Sequence, residues 1–222
     1  MSQLELIVGN LAFSTWSLRP WLVLRRCGAE FALTQVPLYG EGYEAKVRAV
    51  SPSGKVPVLK VDGETLWDSL AISVWCAEQY PDAKLWPTDA KARWLARSAV
   101  CEMHSAFMAL RTHMGMGPDH PMIGDARADT PTDPTLHADL RRMVELWLDM
   151  RRRFGAGGPY MFGDWSIADA FFTPVAARMR HWRVDLAAFG DDGTAAAYRD
   201  ALLNDPLFLE WTAMAEADLN AG

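Results

Sequence analysis

Residues 51–79 read SPSGKVPVLKVDGETLWDSLAISVWCAEQ. The turn formers Ser51-Pro52-Ser53-Gly54 open the stretch. Residues 56–61 (VPVLKV) then predict a strand entered through a proline, which suits a strand edge or a tight turn. Asp62-Gly63 is a hairpin signal, and residues 64–66 supply the returning strand. Asp68-Ser69 starts a helix over 70–79.

Upstream, residues 4–8 (LELIV) predict a strand and residues 17–27 a helix with a basic last turn, followed by Gly28 at the left-handed C′ position. With Ser17 as N-cap, Pro20 falls at the third helical position, where a missing N–H loses nothing. With Ser14 as cap, Pro20 would sit in the second turn and break the ladder, so Ser14 is expected in the loop before the helix. Residues 31–37 predict a second strand and 43–50 a short helix. The order is β-α-β-(α)-β-β-α.

After the turn-rich residues 80–89 the pattern is helical only. Helices are expected over 90–114, 134–154, 166–180 and 204–219, with a Gly/Pro/Asp-rich loop at 115–133. The expected fold is α/β plus all-α: a domain over 1–80, a linker over 81–89 and a helical domain over 90–222. The 222 residues are half apolar and include ten tryptophans, a globular composition. A net charge of −6 argues against a nucleic-acid partner, and Arg151-Arg152-Arg153 reads as a solvated helix end. No apolar run is long enough to span a bilayer, and the N-terminus has no signal pattern. Cys27, Cys76 and Cys101 show neither CxxC nor metal spacing, so no metal and a reducing, cytoplasmic setting are expected.

Three features suggest chemistry. Val56-Pro57 is either an edge-strand proline or a cis-proline turn. The second form leaves the preceding N–H and C=O free for an extended, peptide-like ligand. Asp68-Ser69 is an N-cap, yet it also suits an α-amino-acid head group: the helix N-terminus and hydroxyl take the carboxylate, and the acid takes the ammonium. Ser14 precedes a helix N-terminus, where a hydroxyl donated to a thiol would favour the reactive thiolate. Ser17 is the rival hydroxyl, occupied if it caps the helix. Ser166 and Asp169 form a capping box ahead of an apolar helix and are read as structural.

In order and spacing, STWSLRPWLVLRRCG, SPSGKVPVL, TLWDSLAI and GDWSIADAFFTPVAARM resemble the glutathione S-transferase superfamily over essentially the whole chain. The resemblance implies a thioredoxin-like first domain, a helical second domain and a homodimer. It implies glutathione as co-substrate, with Ser14 stabilising its thiolate for attack on a small electrophile. It assigns glutathione contacts to Lys55, Val56, Pro57, Asp68 and Ser69, with Trp16 and Ser17 beside the thiol. The stretch looks closest to serine-type, zeta-like members, which carry S-S-C-x-W-R-x-R-I-A-L. Ser14 and Thr15 stand at the two serines, and Trp16 replaces the cysteine. That cysteine serves glutathione-dependent cis-trans isomerisation of maleyl-type diacids, so its replacement counts against this alternative activity. A non-catalytic binding protein on the same fold is a third reading. The electrophile pocket is expected between the domains, at Phe13, Trp16, Phe107, Met108, Arg111 and Met114. Arg111 or His104 would hold an anionic electrophile, because 104, 107, 108 and 111 share one face of an unbroken helix.

Overall fold

The computed structural model describes residues 2–221. The chain opens with β1 (Leu4–Val8), α1 (Thr15–Arg26), β2 (Ala32–Gln35), α2 (Tyr43–Val50), β3 (Val58–Val61), β4 (Glu64–Leu66) and α3 (Ser69–Gln79). The strands form one sheet in the order β2-β1-β3-β4. β1 and β2 are parallel, as a helical crossover between them requires. The β1–β3 and β3–β4 pairs are antiparallel, the second closed by the Asp62-Gly63 turn. This is the thioredoxin-like arrangement. Helices follow: α4 (Ala90–Ser105), α5 (Met108–His113), α6 (Pro134–Phe154), α7 (Ile167–His181), α8 (Thr194–Leu203) and α9 (Pro206–Ala221). No described helix is long and apolar enough to cross a membrane.

Two expectations fail at helix ends. α1 begins at Thr15, with Ser14 at its N-cap position, so Ser17 is not the cap and Pro20 lies in the second turn. A proline there costs on the order of 3 kcal/mol. The helix runs through it because every side chain from Leu18 to Leu24 is buried, and a large apolar side chain repays roughly 1.5–3 kcal/mol. Tertiary packing overrides the local rule.

The second failure is the expected single helix over 90–114. It breaks after Ser105, and Phe107 adopts φ 58° before α5 begins. The Phe107 ring is buried in the core, which holds the backbone in a conformation that is strained for a bulky residue. Arg111 folds back so that its guanidinium donates to the carbonyls of Met103 and Ala106, the latter at 3.1 Å. The Leu110 N–H finds Asp139 on α6 at 2.9 Å. The orphaned groups at both sides of the break are thus satisfied, and no Gly or Pro marks the place. α8 and the exact ends of the last helices also went unread.

α1 packs on α3 in its own half and on α7 and α9 in the helical half. The Trp21 and Trp211 rings meet edge to face at 5.2 Å, and the Trp211 indole N–H donates to the Leu11 carbonyl at 3.0 Å. Loop 115–133 lies over α7, held by a His120 Nδ1–His181 Nε2 contact of 3.2 Å, and the Met122 N–H donates to the Ala12 carbonyl at 2.8 Å. The Ser166–Asp169 capping box opens α7. Asp169 is fully buried and accepts from the Met161 and Ser166 N–H groups, the Ser166 hydroxyl and the Tyr198 hydroxyl, all within 3.0 Å. Burial pushes its carboxyl up to about 6 despite these donors.

Asp169→Ala strands these donors in the core and is expected to remove about 3 kcal/mol or more of stability. Ser166→Ala, which deletes one hydroxyl, is expected to cost about 1 kcal/mol. Urea denaturation checks both, and equal losses would show that the box does not act through Asp169.

Candidate active site

The first turn of α1 meets the end of β1 at Gly9. The Gly9 N–H donates to Ser17 Oγ at 3.1 Å, and Ser17 Oγ lies 2.7 Å from Ser14 Oγ. A Cβ at Gly9 would stand 2.4 Å from Leu38 Cδ1 and 3.0 Å from Ser14 Oγ, so a larger residue here requires the Leu38 side chain to move. Ser17 is wholly buried. Ser14, 5% exposed, reaches the wall of a cavity of about 450 Å³. The Ser14 side chain makes no capping bond, so the hydroxyl is not consumed by the helix.

Across the cavity stand Tyr39, Lys55, Val56, Arg111, Met116 and Arg178. The Val56–Pro57 peptide is cis and precedes β3. The Trp16 ring lies under two guanidiniums, with Arg19 at 4.0 Å and Arg111 at 4.7 Å from its centroid. Arg19 is fully buried; its Nε donates to the Phe171 carbonyl at 3.4 Å, and both terminal nitrogens lack a partner among the described residues. Burial, then the charges of Arg111 and Arg178, lower its pKa. Arg178 donates from Nε to the Met114 carbonyl at 2.7 Å and has one terminal nitrogen without a partner. Burial and the neighbouring Arg111 push it down to about 10. Arg19 and Arg111 thus stack on Trp16, and Arg178 lies close enough to both to repel them. With the positive end of α1 they favour anions in the cavity.

Asp68 caps α3: one oxygen accepts from the Leu70 and Ala71 N–H groups, and the other meets His104 Nε2 at 2.9 Å. The Asp68 side chain is still 52% exposed, so its remaining lone pairs are open to a cation. The His104 ring in turn rests edge-on against Trp16 at 5.3 Å. Ser69 Oγ is buried without a partner among the described residues.

The cavity gathers Phe13, Ser14, Trp16, Lys55, Val56 and Arg111 from the residues named by sequence. Ser17 sits behind Ser14 rather than on the wall. Pro57, Asp68 and Ser69 lie outside the lining, with Asp68 joined to Trp16 through His104. Phe107 belongs to the core and Met108, 63% exposed, faces away, because the break before α5 turns them off the face expected for an unbroken helix. Met114 is buried and contributes its carbonyl to Arg178. Sequence reasoning missed Tyr39, Met116 and Arg178. Only Arg178 left a signal, a charge inside the apolar run of α7.

The family model "Glutathione S-transferase, N-terminal domain" matches residues 13–79. A probable maleylacetoacetate isomerase of Caenorhabditis elegans is 34% identical over 201 residues, 88% of this chain and 86% of the relative. The chain belongs to the glutathione S-transferase family. The maleylacetoacetate isomerase of Rhizobium meliloti is 29% identical, over 79% of this chain and 82% of its own. Among solved structures, a glutathione transferase homologue from Burkholderia with bound glutathione superposes with a TM-score of 0.73 at 24% identity, covering 97% of this chain and 99% of that one. The holo form of a zeta-class maleylpyruvate isomerase gives a TM-score of 0.70 at 22% identity, over 95% and 97% of the two chains. As a member of the family the chain is a glutathione-dependent enzyme. No group of three or more metal-ligating side chains occurs among the described residues.

Gly9→Ala is expected to destabilise by about 1–3 kcal/mol, the usual effect of overpacking. Leu38→Ala in the same chain should return part of that loss. Denaturant midpoints of the two single variants and the double variant test it, and strict additivity would contradict the close approach at Gly9.

Proposed function

We propose that residues 1–80 bind glutathione with its thiolate at Ser14, and that residues 90–222 hold an anionic electrophile for attack by that sulfur. The observation that supports this most is the cationic lining of the cavity walled by Ser14: Lys55, Arg111 and Arg178 face it, and the buried Arg19 guanidinium stacks on Trp16 behind the wall. The Ser14 hydroxyl and the α1 N-terminus stabilise a thiolate, the nucleophilic form of a thiol. The guanidiniums suit a carboxylate on the second substrate. The cis Val56–Pro57 turn offers its backbone to the cysteinyl peptide, Lys55 lies beside it, and Asp68 with the unpartnered Ser69 hydroxyl suits the γ-glutamyl head. Phe13 and Arg111 line the electrophile side, together with Arg178 and Tyr39.

The leading reading is a transferase. The cation-rich cavity and the names of the curated relatives favour a second one, a glutathione-dependent cis-trans isomerase of a maleyl-type diacid. In it the sulfur adds and leaves again, so glutathione is not consumed. Trp16 takes the position of the cysteine in the zeta-like stretch, and its ring is engaged by two cations.

Trp67 before α3, Val74 on α3 and Trp94 on α4 are large apolar side chains exposed at 45%, 38% and 64%. They support a homodimer. Free thiols at Cys27, Cys76 and Cys101 fit a reducing, cytoplasmic setting.

Ser14→Ala is expected to bind glutathione with nearly wild-type affinity in calorimetry and to raise the pKa of the bound thiol, followed by thiolate absorbance against pH. Loss of binding with no change in thiol pKa would move Ser14 from thiolate to scaffold. Arg111→Leu should raise KM about tenfold for carboxylated electrophiles and leave neutral ones near wild type. Glutathione consumption during turnover of a maleyl-type diacid separates transferase from isomerase. Trp94→Asp is expected to shift the sedimentation coefficient from dimer to monomer.

A further inference from the structure

We propose that Ser17 is a positioning residue whose hydroxyl fixes the direction in which Ser14 donates, so that the Ser14 proton points into the cavity. This rests on the reading of Ser14 as the thiolate partner.

The argument is a count of donors and acceptors. Ser17 Oγ accepts from the Gly9 N–H at 3.1 Å and lies 2.7 Å from Ser14 Oγ. Ser17 is 0% exposed, so water cannot take its proton. Among the described residues, Ser14 Oγ is the one acceptor in hydrogen-bond contact with it. Two proton orders are conceivable. If Ser14 donated to Ser17, Ser17 would receive two donors and its own O–H would be buried without an acceptor, a situation folded proteins seldom carry. If Ser17 donates to Ser14, both wholly enclosed donors are satisfied, Gly9 N–H by Ser17 and Ser17 O–H by Ser14, and only the Ser14 O–H is left over. Ser14 is the member that reaches the cavity wall, so the leftover proton is the one offered to a ligand.

The order also has an electronic effect. Hydrogen bonds in a chain polarise one another, so a hydroxyl that accepts from Ser17 becomes a stronger donor. The anchor of the chain is a backbone N–H that cannot rotate or accept, which makes the direction permanent. The close approach of Gly9 to Ser14 permits this geometry. Ser17 never touches the sulfur; it acts through Ser14.

The test compares bound-thiol titrations by ultraviolet absorbance in the full chain. Ser17→Ala is expected to raise the thiol pKa by about half a unit, with glutathione affinity within about twofold of wild type. Lys55, Arg111 and Arg178, the charged groups facing the same cavity, are unchanged in this variant. The double variant Ser14→Ala/Ser17→Ala should titrate like Ser14→Ala alone, because Ser17 has no route except Ser14. Ser17→Thr restores the hydroxyl and should restore the pKa. Where its extra methyl is not accommodated, the nearly isosteric Ser17→Cys, a weaker donor, should fall between wild type and Ser17→Ala. A Ser17→Ala titration identical to wild type, or additive shifts in the double variant, would overturn the proposal. A Ser14→Ala titration identical to wild type would instead overturn the reading of Ser14 itself, so the two failures are distinguishable.

Discussion

The burial of α1 on every side is the constraint on which the rest depends. From Leu18 to Leu24 no side chain of this helix reaches solvent, although the helix contains a proline in its second turn. It packs on α3 in one half of the chain and on α7 and α9 in the other. Its first turn therefore cannot drift relative to either half. Ser14 is held at a fixed height on the cavity wall, while Trp16 and Arg19 project from the same turns toward the α4–α7 side. The role proposed for the Ser14 hydroxyl, stabilising charge at one sulfur, calls for such rigidity, because a preorganised donor loses nothing to reorientation during the reaction.

Rigidity is what allows the electrostatics to be unfavourable locally. Arg19 and Arg178 are buried with terminal nitrogens unpaired, and both lie near Arg111. In a small soluble core such an arrangement would be expelled or neutralised. Here it is spread over aromatic faces, with Trp16 and Phe171 each close to the Arg19 guanidinium. The apolar core around Trp21, Phe171 and Trp211 supplies the stability that the cations withdraw.

Much of this could be read in the sequence. The turn formers around Val56-Pro57, the Asp62-Gly63 hairpin and Asp68-Ser69 report local rules that the structure obeys, and they locate the sheet and the start of α3. The Ser166–Asp169 box was legible for the same reason. What failed was decided at long range. Pro20 argued for a helix start at Ser17, but burial of the residues after it outweighed the missing N–H. The break at Phe107 has no local mark, because it is stabilised by Asp139 from α6 and by the folded-back Arg111. Phe107 and Met108 were placed at the cavity only because an unbroken helix was assumed. Tyr39 and Met116 come from loops whose positions no periodicity encodes.

Asp68 serves two masters already: the first turn of α3 and His104 of α4. Any cation that settles on this carboxylate must share it with the imidazole. Occupancy at Asp68 is thus thermodynamically linked to the contact between α3 and α4, and the linkage runs equally in both directions. A ligand that never touches the helical half can in this way bias how firmly that half is held.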